Sequence, residues 1–320
     1  MKSSNIGGQA VLEGIMMKNK DSYAVAVRKP DQTIEVKVDT YMSVVPLESL
    51  MKTPFIRGIF NFIDSMVLGM KTLTYSASFY EEDEEIDDQS TPLSKAELAM
   101  AQKKEERAQT VMMGVTILIS LVLVIAIFTV LPSYLAGLGI RFGLISGYTG
   151  RAVAEGILKG LIFIVYIILI SKMKDIQRVF MYHGAEHKCI NCIEHGLVLN
   201  VENVRKSSRQ HKRCGTSFLL FVVIISIIVG MFIHVDTIWL RVIIRIALFP
   251  VVAGISYEII KLAGNSDNTI ISLLSKPGLW TQKLTTREPD DGMIEVAIRA
   301  VEAVFDWKAY LAEEKSGKKE

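Results

Sequence analysis

Between Val111 and Leu131 the chain runs VMMGVTILISLVLVIAIFTVL without a single charged side chain. A helix of about 20 apolar residues is what crosses the hydrocarbon core of a bilayer, so this segment predicts a membrane span. Thr216–Ile233 is equally free of charge. Two further stretches have the same character with charges embedded in them. Ala152–Ile170 carries Glu155 and Lys159, and Ile238–Ala263 carries Arg241, Arg245, Glu258 and Lys261. The expectation is four transmembrane helices within residues 111–263. Composition agrees, with half of the residues hydrophobic and a mean hydropathy of +0.33. The formal net charge of +2 argues against direct nucleic-acid binding, which calls for a more basic surface.

Lysine and arginine counts set the expected orientation. The loop at residues 171–215 holds nine: Lys172, Lys174, Arg178, Lys188, Arg205, Lys206, Arg209, Lys212 and Arg213. The segment between the first two spans holds only Arg141 and Arg151, and residues 234–237 hold none. Both termini and the 171–215 loop are therefore expected on the cytoplasmic side of the membrane. The opening MKSSNIGGQAVLEG has no apolar run behind its lysine and does not read as a secretory signal. Of the embedded charges, Glu155 and Lys159 stand four apart, suited to a helical ion pair. Arg241 and Arg245 are expected to reach Glu155 across the helices. Glu258 would lie about 25 Å deeper than Arg241 at the helical rise, toward the cytoplasmic face.

Outside the spans, residues 1–45 read as a small β unit. Ser22–Arg28 and Thr33–Asp39 alternate around a turn at Lys29–Gln32, and Gly7, Gly8 and Gly14 bracket a further short segment. Residues 46–80 show helical spacing interrupted by Arg57, Asp64 and Lys71, the pattern of amphipathic helices at a membrane interface. Residues 81–110 contain an acidic run, Glu81–Asp88, and a capping box at Ser94 and Glu97. Residues 264–320 form a cytoplasmic C-terminal segment, with an interfacial turn expected at Lys276–Trp280 and a last helix over Glu288–Glu314. The fold class is mainly α: a polytopic membrane protein with about four transmembrane helices, a small N-terminal β unit and cytoplasmic amphipathic helices.

Four of the five histidines and all three cysteines fall between His183 and Cys214. Imidazole and thiolate are the usual ligands of zinc, and a reducing cytoplasm keeps the thiols free of disulfides. Two patterns compete. His183-Gly-Ala-Glu-His187 is H-x-x-E-H, which on a helix puts both imidazoles on one face and Glu186 beside them as a general base. Glu194, His211, Cys214 and Glu258 are candidates for a third ligand. The other pattern pairs Cys189-x2-Cys192 with His211-x2-Cys214 across 18 residues, the spacing of a closed structural zinc ribbon. A mixed site would take His183 and His187 with His211 or Cys214. Surface histidines and cytoplasmic thiols without any metal would leave the same residues in the sequence.

The chain also resembles the bacterial domain-of-unknown-function 1385 family, the YqhQ-like proteins. The resemblance rests on GGQAVLEGIMM at Gly7–Met17, Pro54–Gly58, Tyr182–Lys188, His211–Thr216, Ala253–Glu258, Pro277–Gln282 and Thr285–Asp291 running on to Glu295–Ile298. It implies a polytopic membrane protein described as metal-dependent, with no settled reaction, and a link to the ribosome or the translocation machinery. It also favours HGAEHK and the His211/Cys214 pair over Cys189 and Cys192, hence the ligand set His183, His187, His211 and Cys214. Two functions fit. One is a metal-dependent, zinc-type hydrolase with Glu186 as base and Glu13 or Glu258 completing the pocket. The other is a non-enzymatic membrane scaffold or insertion-linked factor stapled by a structural zinc.

Overall fold

The computed structural model describes residues 3–43, 53–80, 95–233, 235, 237–265 and 268–317. Four strands come first: β1 (Gly7–Val11), β2 (Gly14–Asn19), β3 (Ser22–Arg28) and β4 (Ile34–Thr40). The helices are α1 (Ile56–Ala77), α2 (Lys95–Ile125), α3 (Leu131–Arg141), α4 (Gly147–Ile170), α5 (Lys174–Glu194), α6 (Val201–Lys206), α7 (Gly215–Met231), α8 (Ile238–Asn265), α9 (Thr269–Thr285), α10 (Asp291–Val304) and α11 (Trp307–Gly317). The chain divides into two compact units. The first comprises Met1–Tyr80, Ile164–Val229 and Arg245–Glu320, and the second Glu81–Phe163 and Gly230–Ile244.

In the first unit the strands form an antiparallel meander in the order β1-β2-β3-β4. The hairpin expected around Lys29–Gln32 is present, with Arg28 opposite Ile34. The glycine-bracketed segment supplies β1 and the start of β2, joined at Glu13, whose φ is 48°. The inner strands β2 and β3 are almost continuously apolar because both faces of the sheet are covered. One face packs Ile15, Met17 and Ala26 against Tyr182, Ile190 and Ile193 of α5 and Ile294 and Val301 of α10. The opposite face packs Met16, Tyr23, Val25 and Val27 against Leu68 of α1. The sheet therefore separates the amphipathic helix α1 from the His/Cys helix α5.

Among the described residues, three helical stretches are long and apolar enough to cross a membrane: Gly114–Arg141, Gly147–Ile170 and Trp239–Gly264. The fourth expected span corresponds to α7, which is apolar but only 17 residues long. It measures roughly 26 Å at the helical rise, short of the ~30 Å hydrocarbon core. The first stretch runs ten residues past its expected end at Leu131, through a π-helical turn at Ala126–Val130 into α3. That turn directly precedes Pro132, whose ring would crowd the carbonyl of Phe128 in a regular helix, and the wider turn relieves this.

Elsewhere the structure departs from the sequence reading in three places. The 171–215 segment is not an open loop but α5 and α6 with short connections. Lys276–Trp280 is not a turn; Pro277 lies inside α9, where Gly278 brings the helix against Ser217. The last helix is broken at Phe305–Asp306 into α10 and α11, with the Asp290 side chain capping α10 by accepting from the Met293 backbone N–H. The acidic run Glu81–Asp88, the capping residue Ser94, the start of the 46–80 segment and His234 lie outside the described residues.

In the second unit, Arg241 of α8 donates to Glu155 of α4 at 2.7 Å, as the embedded charges predict. Arg151, one turn before Glu155, reaches the same oxygen at 3.1 Å. Glu155 and Arg241 are both only 4% exposed. Breaking such a buried pair by removing one partner costs about 3–5 kcal/mol. Glu155→Leu removes the carboxylate that both arginines share and is expected to lower the thermal unfolding temperature by many degrees. An E155L/R241M double variant is expected to recover most of that loss in the same melt.

Candidate metal centre

The H-x-x-E-H segment lies in the middle of α5, where Gly184–Ile193 is buried without interruption and His183 is half-buried. Four residues apart on one helical face, the His183 and His187 rings stand 4.4 Å apart between centroids. Each ring is turned by a backbone carbonyl. His183 Nδ1 donates to the Thr285 oxygen at 2.9 Å, and His187 Nδ1 to the Arg209 oxygen at 2.7 Å. Each Nδ1 proton is held by its carbonyl, so an ion that displaces the proton from Nε2 would meet a ring already oriented, the arrangement of metal-binding histidines. His183 Nε2 lies 3.1 Å from Cys214 Sγ, and one donor atom from each of His183, His187 and Cys214 lies within 4.8 Å of the others.

Cys214 immediately precedes α7. Its sulfur accepts from the Thr216 backbone N–H at 3.4 Å and lies 3.1 Å from the Thr216 hydroxyl. A helix N-terminus favours negative charge at this point. Burial alone would push the thiol up, but the two imidazoles outweigh it and hold Cys214 well below the ordinary thiol range. The coupling is mutual: burial would lower His183, yet Cys214 and then Glu186 raise it to about 9. Two Nε2 atoms and a thiolate make a borderline-soft donor set suited to zinc. Bonds of 2.0–2.3 Å in a tetrahedron separate ligand atoms by roughly 3.4–3.8 Å, so the three residues need only small shifts to close on one ion.

Glu186 is buried beside this group. Burial raises its carboxyl above the usual range, partly opposed by His187 and His183 and by the nearby Gly8 backbone N–H. A Cβ at Gly8 would stand 3.0 Å from the Glu186 carboxyl carbon and 2.7 Å from the Met16 carbonyl oxygen, so the side-chain-free strand is what lets Glu186 approach. Gly184 has the matching role on the other side. A Cβ there would meet the Arg287 carbonyl oxygen at 2.1 Å. The glycine that weakens α5 as an isolated helix thus admits the 285–287 segment that anchors His183.

The remaining polar side chains of α5 hold the segment that carries Arg209 and Cys214. Lys188 donates to the carbonyls of Arg205 and Ser207, each at 2.9 Å, and pairs with Glu288. Asn191 donates to Ser208 and Gln210 carbonyls at 2.6 and 2.9 Å. From α9, Gln282 accepts from the His211 backbone N–H at 2.8 Å and donates to its carbonyl at 2.7 Å.

The centre is smaller than the set expected from sequence. His211 is not among the converging donors, because its Nε2 faces Glu194 at 3.4 Å. Glu194 also pairs with Arg213 and accepts from Ser4 N–H and hydroxyl at 2.8 Å. Cys189 and Cys192 are fully buried in the sheet–helix core, so the ribbon pairing with His211 and Cys214 does not form. Glu13 is engaged by Arg178 and Tyr182, and Glu258 by Arg57 and the Phe55 backbone N–H, so neither joins the group. What sequence reasoning missed is Gly8, Arg209, Thr285, Lys188 and Asn191. Three of these act through backbone atoms, which leave no side-chain signature. The adjacent glycines at 7 and 8 are the one signal that could have found such a contact, since residues without side chains permit close backbone approach.

Residues 53–307 match the family model described as "Protein of unknown function (DUF1385)". The chain belongs to this family. It is 39% identical over 296 residues to the "Uncharacterized protein YqhQ" of Bacillus subtilis (strain 168), covering 92% of this chain and 90% of that protein. No solved structure matches the chain. The resemblance expected from the ordered motifs is therefore met, and the converging His/His/Cys donors lie inside the matched region.

Gly184→Ala forces a methyl group into backbone, which cannot rotate away. Overpacking of this kind costs about 1–3 kcal/mol, and the variant is expected to melt several degrees lower. Gly160→Ala is the control: its added methyl meets nothing within 4 Å, so the melting temperature is expected to hold or rise.

Proposed function

We propose that this chain is an integral protein of the bacterial cell membrane that holds zinc through His183, His187 and Cys214 and works as a metal-dependent hydrolase with Glu186 as general base. The observation that carries the reading is the pair of Nδ1 anchors, which commits both imidazoles to offering Nε2 toward one thiolate sulfur. A cysteine–histidine nucleophile needs only one base. A second, independently anchored imidazole beside the same sulfur fits a ligand set better. Three protein ligands leave a fourth position open, the pattern of catalytic rather than structural zinc. When bound, zinc would supply Lewis-acid activation of water and of a substrate carbonyl. Glu186, held by Gly8 within electrostatic reach of both histidines, would accept the proton released by the attacking water. The reading takes α7 as a fourth span and sets both termini and the centre on the cytoplasmic side. The lysine and arginine excess of the 171–215 segment supports that orientation.

A structural zinc in a membrane scaffold is the second reading, and the burial of Glu186 favours it, since its close packing on Gly8 also serves the fold. Metal analysis of the detergent-purified protein tests what the two share, and hydrolysis separates them. About one equivalent of zinc per chain is expected, lost in His183→Ala and Cys214→Ser and kept in His211→Ala and Cys189→Ala. Glu186→Gln is expected to keep the metal and to lose ester or peptide hydrolysis by about 10²–10⁴-fold. Wild-type protein that carries no metal after chelator-free purification would end both readings. Full metal without hydrolysis of any ester or amide tested would leave the scaffold.

A further inference from the structure

On the side of the sheet away from α5, a cleft of about 330 Å³ opens between β1–β2 and α1. Its polar lining is Asn5, Gln9, Lys18, Lys20 and Ser65, with Leu68 as an apolar wall. Several lysines of this unit are neutralised by a neighbouring acid. Lys29, Lys71, Lys188 and Lys206 each pair with a carboxylate. Among the described residues neither Lys18 nor Lys20 does, and the Lys18 ammonium instead lies 4.6 Å over the Tyr41 ring. The Tyr41 hydroxyl in turn donates to Asp64, which takes up the acid nearest this ring. Two ammonium groups, two side-chain amides and a hydroxyl around one cleft make a donor-rich, net positive environment for an oxyanion.

The wall formed by α1 says where that oxyanion comes from. Its outward face is an exposed apolar stripe of Ile56, Ile63, Met66, Met70 and Leu73 at helical spacing. Arg57, Asp64 and Lys71 fall seven apart along one flank of it. Phe62 packs its ring against Phe218 of α7 at 5.4 Å and Phe249 of α8 at 6.2 Å. Gly58 brings the helix against Gly254 and Tyr257 of α8, within the Trp239–Gly264 stretch. The stripe thus continues the apolar surface of a membrane-spanning helix, which is how an amphipathic helix sits in the headgroup and acyl boundary. A cleft whose wall lies at that boundary meets lipid headgroups first.

We propose that the cleft is a binding site for a phosphate-bearing ligand, presented to it as the headgroup of an anionic lipid. The test measures binding of fluorescently labelled phosphatidic acid to the full chain in neutral detergent micelles. Unlabelled phosphatidic acid is expected to compete and phosphatidylcholine not to. Basic groups at a membrane surface contribute enough that Lys18→Gln with Lys20→Gln is expected to weaken binding about thirtyfold. K18R/K20R is expected to bind as wild type. Ser65→Phe fills the cleft from the α1 wall with both lysines intact and is expected to abolish binding. The melting temperature and size-exclusion profile, read in parallel, report that each variant is folded. Wild-type affinity in Ser65→Phe, or in a folded K18Q/K20Q, would overturn the proposal. Should K18Q/K20Q fail to fold, Ser65→Phe and K18R/K20R decide alone. Competition by glycerol 3-phosphate or inorganic phosphate at the same concentration would keep the phosphate chemistry and overturn the lipid source.

Discussion

Burial of a polar helix segment is the constraint on which the rest of this architecture depends. Between Tyr182 and Ile193, α5 carries Glu186, His187, Lys188 and Asn191 into the interior. Each would cost several kcal/mol there without a partner. The partners are mostly backbone groups, the carbonyls of Arg205, Ser207, Ser208, Arg209 and Gln210, with Glu288 also pairing with Lys188, while Glu186 lies against the imidazoles and the bare strand at Gly8. The irregular segment after α6 has its shape because α5 needs those acceptors. The apolar residues of the same helix, Ile190 and Ile193 with Cys189 and Cys192, meanwhile close the core against the sheet.

The chemistry of the centre grows from that packing. Once Arg209 and Thr285 supply acceptors for the two Nδ1 protons, the ring orientations are set and both Nε2 atoms face the start of α7. Cys214 stands there with a helix N-terminus behind its sulfur and two imidazoles before it. The electrostatics of thiolate, imidazole and carboxyl are consequences of which elements meet, and the sheet supplies the last contact through a strand with no side chain at Gly8.

Much of this was legible in the amino-acid sequence, and what was not has a physical reason. Charge-free runs and period-two alternation announce spans and strands directly, so three long apolar helices and the β3–β4 hairpin follow from pattern alone. H-x-x-E-H correctly implied a shared helical face, because a separation of four is a local property. The partner of that face is not local. Spacing made His211 and Cys214 equivalent, whereas in the fold a Glu194–Arg213 network draws the His211 ring aside and leaves Cys214 at the centre. The cysteine pair read as ligands because spacing cannot reveal that both thiols face a hydrophobic core. Pro277 read as a turn because its local preference is real, but tertiary packing of Gly278 and Gln282 on α7 and on the segment just before it keeps α9 helical through it.

The hydrogen bond from His183 to Thr285 joins residues 102 positions apart. During synthesis, His183, His187 and Cys214 all leave the ribosome well before the acceptor that fixes the first of them. The apolar helices α7 and α8 are made in that interval. Until the end of α9 arrives and Arg287 settles over Gly184, His183 is free to rotate and only part of the ligand set is oriented. Maturation of the centre is therefore a terminal step in the life of the nascent chain. A polypeptide released early, with all three donor side chains already present, would still lack the anchor that turns His183 toward the other two.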